Sequence, residues 1–458
     1  MLLMEDTIAA IATALGEAAL SVIRVSGPGA LAVVDKCFSP VGCRVVRLSE
    51  APSHTVHFGH IVKDGRNVDE VLAAVMKAPR TFTREDVVEI TCHGGPVPAM
   101  AVLEAVLHNG ARLAHPGEFT KRAFLNGRID LAQAEAVMDL IQSRTRLAMV
   151  AATEQLAGKL SQKVESVRTS LMTALAHVEA CIDFPEEDIT LETSREVAGR
   201  LQSALESIHC LLSTAHEGRV LRRGVRAAII GRPNAGKSSL LNQLLGLDRA
   251  IVSEIAGTTR DTIEETANIL GIPVILIDTA GLRDAGDEIE REGMRRTRAA
   301  LGSAELILHV VDASEELSDA DVRYLDAFSA TKRILIRNKT DLPERLGGLP
   351  PSSAPVVNVS CSTGQGIYQL KLAIKELVWS GEIKADMLEV MINARHQEAL
   401  SRAAKALEHA LGSLMHDRGT ELVADDLRLA VNAIGEITGK TTTEDLLDVI
   451  FNKFCIGK

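Results

Sequence analysis

Three regimes of apolar spacing follow one another along the chain. Up to about residue 126, short apolar runs at Ala19–Ser26, Val56–Val62, Glu70–Met76 and Val87–Cys92 stand between Gly- and Pro-bearing turns, a pattern that predicts strands. A helix is predicted from Val97 to Leu107, stopped by Asn109-Gly110. From Ala132 to about Thr214 only Pro185 breaks the pattern. Apolar residues there recur every three or four positions, through Ala134-Val137-Leu140-Ile141 and Val164-Val167-Leu171-Leu175, as in long amphipathic helices. Residues 222 to 382 alternate strand and helix signals, which a mostly parallel sheet covered on both faces requires. Helical spacing then resumes through Ala399–Leu411 and Thr420–Ile437 to a last helix near Thr443. The expected fold is therefore multidomain: an α+β domain over 1–126, a helical-bundle domain in two parts over 127–221 and 383–458, and an α/β domain over 222–382 inserted between those parts. Movement of an inserted domain passes directly into both flanking helical segments.

Composition narrows the class. A chain of 458 residues is too long for one core at about 150 residues per domain. Aromatic residues are only 3%, which favours aliphatic helix packing. A net charge of −11 argues against a broad, sequence-blind grip on nucleic acid, though it leaves room for a local basic patch. The seven cysteines are scattered without a C-x-x-C pair, so neither a disulfide framework nor a zinc site is expected. The first ten residues carry Glu5 and Asp6 and no basic run, and no apolar stretch approaches the ~20 residues of a membrane span, so a cytoplasmic location is expected.

The inserted segment carries the chemistry. Gly231-Arg232-Pro233-Asn234-Ala235-Gly236-Lys237-Ser238-Ser239 fits G-x-x-x-x-G-K-[ST] between the strand-like Val225–Ile230 and the helical Leu240–Leu245. Such a loop turns its N–H groups toward an anion, with Lys237 reaching the outer phosphates and Ser238 ligating Mg²⁺. Asp278-Thr279-Ala280-Gly281 follows another strand, where the Asp holds the Mg²⁺ water shell and the Gly281 N–H senses the γ-phosphate. Asn338-Lys339-Thr340-Asp341 selects the base, because the Asp341 carboxylate accepts from both N1–H and the exocyclic amine of guanine, and adenine lacks that pair. Ser360-Cys361-Ser362 is placed to touch the base oxygen. The ordered set predicts a Ras-like GTP-binding domain. Gly257-Thr258-Thr259-Arg260-Asp261 lies where a switch loop belongs, with Thr258 a catalytic candidate and Thr259 completing Mg²⁺ coordination. Leu282 follows Gly281 in place of a water-positioning glutamine. The Asn234 side chain and backbone carbonyls between Ala250 and Ala256, Ser253 and Ile255 among them, can hold a monovalent cation that supplies the missing positive charge.

Other features are weaker. Cys92-His93-Gly94-Gly95-Pro96 is either a ligand-docking turn or a tight strand-to-helix connection. His54, His57 and His60 divide between the two faces of a strand and make no metal set. Carboxylates in Asp183-Phe184-Pro185-Glu186-Glu187-Asp188 are read as a solvated loop, and Arg219, Arg222, Arg223 and Arg226 as a solvated linker rather than a tRNA contact.

Two further segments, the run from Gly117 to Ala136 (GEFTKRAFLNGRIDLAQAEA) and the terminal Phe454-Cys455-Ile456-Gly457-Lys458, make the whole chain resemble the MnmE, or TrmE, family of tRNA-modifying GTPases. The resemblance implies a homodimer that works with an FAD-containing partner, MnmG, to modify C5 of the wobble uridine of certain tRNAs with aminomethyl-type groups such as carboxymethylaminomethyl. It implies K⁺-stimulated hydrolysis with Asn234 as a K⁺ ligand, Ser238 and Thr259 on Mg²⁺, and Glu290 positioning water. It also implies a tetrahydrofolate one-carbon donor at Arg24, Glu89 and Arg128, and Cys455 as a candidate catalytic thiol. Cys361 stands where the family usually has alanine, and the first 20 residues lack the Pro- and Gly-rich segment expected there. The rival reading is a GTP-binding assembly factor acting as a switch on ribosomal RNA, which shares the guanine motifs but not the two family segments.

Overall fold

The computed structural model of the chain describes residues 6–42, 47–183, 191–246, 264–278, 304–317, 322, 332–347, 354–379, 385–416 and 419–458. It divides into two units, residues 1–138 with 435–458, and residues 139–434.

In the first unit, alternating apolar positions build a seven-stranded sheet of β1 (Ile8–Ile11), β2 (Leu20–Ser26), β3 (Phe38–Pro40), β4 (Thr55–Lys63), β5 (Arg66–Met76), β6 (Val87–His93) and β7 (Arg112–Leu113), in the order β3-β4-β5-β6-β2-β1-β7. One face buries Ile23, Val25, Val71, Val75, Val88 and Ile90 with α1 (Ala30–Asp35) and α2 (Pro96–His108). The cross-strand register Val56↔Ala74↔Glu89↔Arg24 defines the other face, on which Val56, Phe58 and Leu72 are exposed. α3 (Glu118–Leu125), the start of α4 (Leu131–Gln142) and the terminal α14 (Glu444–Phe451) belong to this unit.

The second unit opens with α5 (Arg146–Leu156), α6 (Lys159–Asp183), α7 (Leu191–Leu212) and α8 (Ala215–Arg223). It continues through β8 (Val225–Ile230), α9 (Lys237–Leu245), β9 (Glu264–Ile269), β10 (Ile272–Asp278), β11 (Leu306–Asp312), β12 (Arg333–Asn338), β13 (Val356–Asn358) and α10 (Ile367–Val378). It closes with α11 (Ala385–Glu389), α12 (Ala394–Met415) and α13 (Thr420–Thr438), the last of which runs on into the first unit. Its six-stranded sheet has the order β13-β12-β11-β8-β10-β9, parallel except for the β9–β10 hairpin. Parallel strands buried on both faces read as continuous apolar runs, and every residue of β11 is buried. α6 buries Leu160, Val164, Val167, Leu171 and Val178 at helical spacing, and α7 and α12 pack together. Asn393 caps α12 by accepting from the His396 N–H at 2.8 Å.

Several expectations need revision. β1, β3, β7 and α1 escape the pattern because they are short, and Ile-Ala-Ala-Ile of β1 is apolar throughout instead of alternating. The stretch from Ala132 is broken at Thr145, which caps α5, and at Gly158 (φ 87°). His54 precedes β4 with φ 63° and bonds Ser53, so it shares no strand with His57 and His60. The basic cluster is only in part a solvated linker: on α8, Arg219 and Arg223 are exposed, the former pairing with Glu305 at 3.0 Å, whereas Arg222 is drawn in to pair with Asp139 at 2.7 Å and to donate to Gln155 at 2.7 Å. Residues 184–188 lie outside the described residues. In the Cys92–Pro96 turn, a Cβ on Gly94 would stand 1.9 Å from the Ala18 carbonyl oxygen and Gly95 (φ 116°) caps α2, so both glycines serve a close strand-to-helix connection.

The first unit encloses a charged knot. Arg122 of α3, fully buried, pairs with Asp6 at 2.7 Å, Glu118 at 3.0 Å and Glu85 at 3.2 Å, while Arg112 grips Glu118 at 2.6 Å and Asp6 at 2.6 Å. Burial alone would raise the Glu118 and Asp6 pKa values, but Arg112 and Arg122, joined at Glu118 by the His115 backbone N–H, outweigh it and hold both below their ordinary values. A depressed folded-state pKa contributes stability that is full above the unfolded value, 4.5 for Glu118, and is lost as pH falls below it. Arg122→Met should therefore destabilise the first unit by about 1–3 kcal/mol at pH 7, because the buried Glu118 keeps only Arg112 as a cationic partner and Glu85 loses its guanidinium, and by clearly less near pH 3. Hydrogen exchange of the β1 and β2 amides at the two pH values checks this, and unchanged protection at pH 7 would show that the knot contributes little.

Candidate functional site

The carboxyl ends of the parallel strands converge on one edge of the second unit's sheet, where open α/β folds hold their ligands. Gly231 follows β8, Asp278 ends β10, Asp312 ends β11, Asn338 ends β12 and Ser360 comes just beyond β13. The sequence motifs thus reach one place because the topology brings their strand ends side by side.

The phosphate loop turns on residues whose backbone tolerates left-handed conformations. Gly231 (φ 148°) passes so near β11 that a Cβ would lie 2.3 Å from the Val310 carbonyl oxygen, and Gly236 (φ 96°) caps α9. Asn234 has φ 62°, a region asparagine enters more readily than most residues, so conformation alone supplies one reason for its presence. Lys237 is buried, and its ammonium donates to the Arg232 carbonyl oxygen at 2.8 Å, which arches it back over the loop. Asn234, Ser238 and Ser239 are exposed, an open polar rim above the positive end of α9 that suits a phosphate and a hard cation with oxygen ligands.

Asn338 joins this loop to the base-selecting elements. Its buried amide donates to the Ala235 carbonyl oxygen at 2.9 Å, and its Oδ1 accepts from the Cys361 N–H at 3.2 Å. A Cβ on Gly236 would fall 2.1 Å from the Asn338 Nδ2, so glycine is required for the clamp to close. Lys339 holds φ 64° and pairs with Asp312 at 2.7 Å. Burial pushes the Asp312 pKa up, but Lys339 and Ser314 more than offset this and keep it ionised. Ser360 donates to one Asp341 oxygen at 2.6 Å and Ser362 to the other at 3.0 Å, which together lower its pKa and aim an ionised carboxylate. The serines therefore orient Asp341, a role beyond the expected contact to the base. Cys361 takes part through its backbone, and burial followed by the nearby Asp341 charge raises its thiol to about 11. Sequence reasoning missed Asp312, although its position at a strand end was a usable signal. Thr258, Thr259, Ser253, Ile255, Gly281 and Glu290 lie outside the described residues, and of Asp278 only the backbone is described.

In the first unit Arg24 and Glu89 pair directly, and Arg128, which donates to the Thr81 carbonyl oxygen at 3.1 Å, shares the Phe82 ring with Arg24. Arg24 of β2 and Glu89 of β6 face each other in register and pair at 2.8 Å. The Arg24 guanidinium lies 6.0 Å from the Phe82 ring centre and 5.6 Å from that of Phe119, and Arg128 lies 5.0 Å from Phe82. The two phenylalanines had no sequence signal, since their rings reach the site from a loop and from α3. Arg24 also donates to the Gly457 carbonyl oxygen at 3.4 Å, so the terminal segment bearing the exposed Cys455 lies beside it. Among the described residues no cluster of three or more His, Cys, Asp or Glu has the arrangement of a metal site, and no helix is long and apolar enough to cross a membrane.

The chain matches the family model of the MnmE helical domain over residues 131–455 and that of the GTP-binding protein TrmE N-terminus over residues 7–128. It is 49% identical to the Geobacillus kaustophilus (strain HTA426) protein named tRNA modification GTPase MnmE, covering 99% of each chain. The protein of that name from Bacillus subtilis (strain 168) is 47% identical, with 99% of this chain and 100% of that one covered.

Gly236→Ala tests whether the loop and the clamp form one site. It should weaken guanine-nucleotide binding at least about 100-fold, roughly 2.7 kcal/mol, with the circular-dichroism spectrum retained. Binding within threefold of the parent, measured by calorimetry, would show that the loop adapts without the clamp.

Proposed function

The chain belongs to the MnmE family, and from that premise we propose that it is a GTPase of tRNA modification, working in the cytoplasm with an FAD-containing partner, MnmG, on C5 of the wobble uridine of certain tRNAs. The observation that carries the GTPase reading is the Asn338 clamp, which sets the phosphate loop and the Ser360–Asp341–Ser362 group on one strand edge.

Asp341 accepts from guanine N1–H and the exocyclic amine, and an adenine there would leave a carboxylate unpaired. Lys237 exchanges its Arg232 carbonyl for the outer phosphates. Ser238, Thr259 and Asp278 would hold Mg²⁺, which would supply positive charge to the phosphates. Glu290 positions the attacking water, a task for which Leu282 has no polar group, while Gly281 and Thr258 contact the γ-phosphate. Asn234, Ser253 and Ile255 would hold K⁺, which would add positive charge beside the phosphates. In the first unit, Arg24 and Arg128 with the Phe82 and Phe119 rings suit an acidic, flat ligand, which supports a tetrahydrofolate one-carbon donor there with Cys455 as the neighbouring thiol. Exposed Val56, Phe58 and Leu72 on the same sheet face support a homodimer through this unit.

Cells lacking this chain should accumulate tRNA with unmodified wobble uridine; an unchanged nucleoside profile would instead favour the RNA-assembly switch. Asn234→Ala should abolish the difference between hydrolysis in KCl and in NaCl, and a persistent difference would remove the cation assignment. Glu290→Ala should bind GTP normally and turn over about 100-fold more slowly, whereas normal turnover would refute its role.

A further inference from the structure

Two glycines pin the last residues of the chain beside Arg24. Gly117 adopts φ 66°, and a Cβ there would lie 2.7 Å from the Phe451 carbonyl oxygen and 2.9 Å from the Phe454 Cβ. Its N–H donates to the Cys455 carbonyl oxygen at 3.3 Å. Gly457 adopts φ 94°, and a Cβ there would lie 2.3 Å from the Ile11 carbonyl oxygen and 3.0 Å from the Ala12 Cα. Its own carbonyl accepts from Arg24 at 3.4 Å. Phe454 is 6% exposed in a cluster with Leu131, Leu447 and Phe451, so the segment is anchored on both sides of Cys455, whose side chain stays exposed. The segment is thus tied at three points.

We infer that the terminal segment is a latch in which Gly117 and Gly457 are positioning residues that hold the Cys455 thiol at the ligand bound by Arg24. The inference rests on the one-carbon reading above. Arg24 serves the Glu89 carboxylate, two aromatic rings and the Gly457 carbonyl, so the side chain that receives an acidic ligand is the one that holds the latch. A side chain at 457 has no space in the latched geometry and must lift the segment from β1. Substitution at 117 forces α14 and the Cys455 carbonyl away from α3.

The test uses the full chain with Cys43, Cys181 and Cys210 replaced by serine and a nitroxide on Cys455. Gly457→Ala and Gly117→Ala should each make the label tumble roughly threefold faster or more by electron paramagnetic resonance. With the thiol left free and the FAD-containing partner present, each should slow tRNA modification about tenfold or more. GTP hydrolysis should stay within twofold of the parent in both variants, and Gly457→Ala, which leaves α14 in place, should unfold within about 2 °C of it, which separates displacement from misfolding. A label equally restricted in both variants, or a freed label with full modification activity, would overturn the latch. Cys455→Ser is the separate control for the thiol reading: undiminished modification by that variant removes the thiol's catalytic role whatever the label shows.

Discussion

Asn338 is the constraint on which the nucleotide site depends. A single buried amide satisfies a carbonyl of the phosphate loop and an N–H of the base-selecting loop, two segments separated by 103 and 23 residues from Asn338 in sequence. Removing it would leave both partners buried and unpaired, at about 1–3 kcal/mol each. The neighbouring geometry accepts strain to keep the arrangement: Lys339 sits at φ 64° with its ammonium held by Asp312, and Gly236 leaves the space the amide occupies. Because these groups are bonded to one another, the phosphate loop and the base-selecting loop hold each other in place.

A different solution operates in the first unit. There the sheet face bearing Arg24 depends on α3, which supplies Phe119 beneath the guanidinium, Arg122 to the charged knot and, just before its start, Gly117 to the terminal segment. One helix turn therefore joins the fold's buried ion pairs to the candidate one-carbon site and to Cys455. Buried ion pairs are weak sources of net stability but costly to break, which suits a device that fixes one arrangement.

Much of this was legible from the chain. Period-two and period-3.6 spacing predicted the main strands and helices, and motif order predicted what the sheet edge would gather, because strand-loop-helix context turns a pattern into a position. What remained hidden has common causes. β1 is too short and too uniformly apolar to show alternation. Arg222 reads as a surface charge until Asp139 and Gln155 are seen beside it. The link from Asn338 to Ala235, the orientation of Asp341 by its serines and the seat of Gly457 on β1 are all contacts between distant residues, and no local pattern encodes them.

The most direct measurement of the clamp is guanine-nucleotide affinity together with hydrogen exchange at the Cys361 amide in Asn338→Ala. The clamp predicts that the two move together: affinity falls about 10-fold or more, and the amide exchanges faster by a similar factor even without nucleotide, as the loss of a bond worth about 1–3 kcal/mol requires. Exchange at Cys361 unchanged in the free protein, with affinity retained, would contradict it.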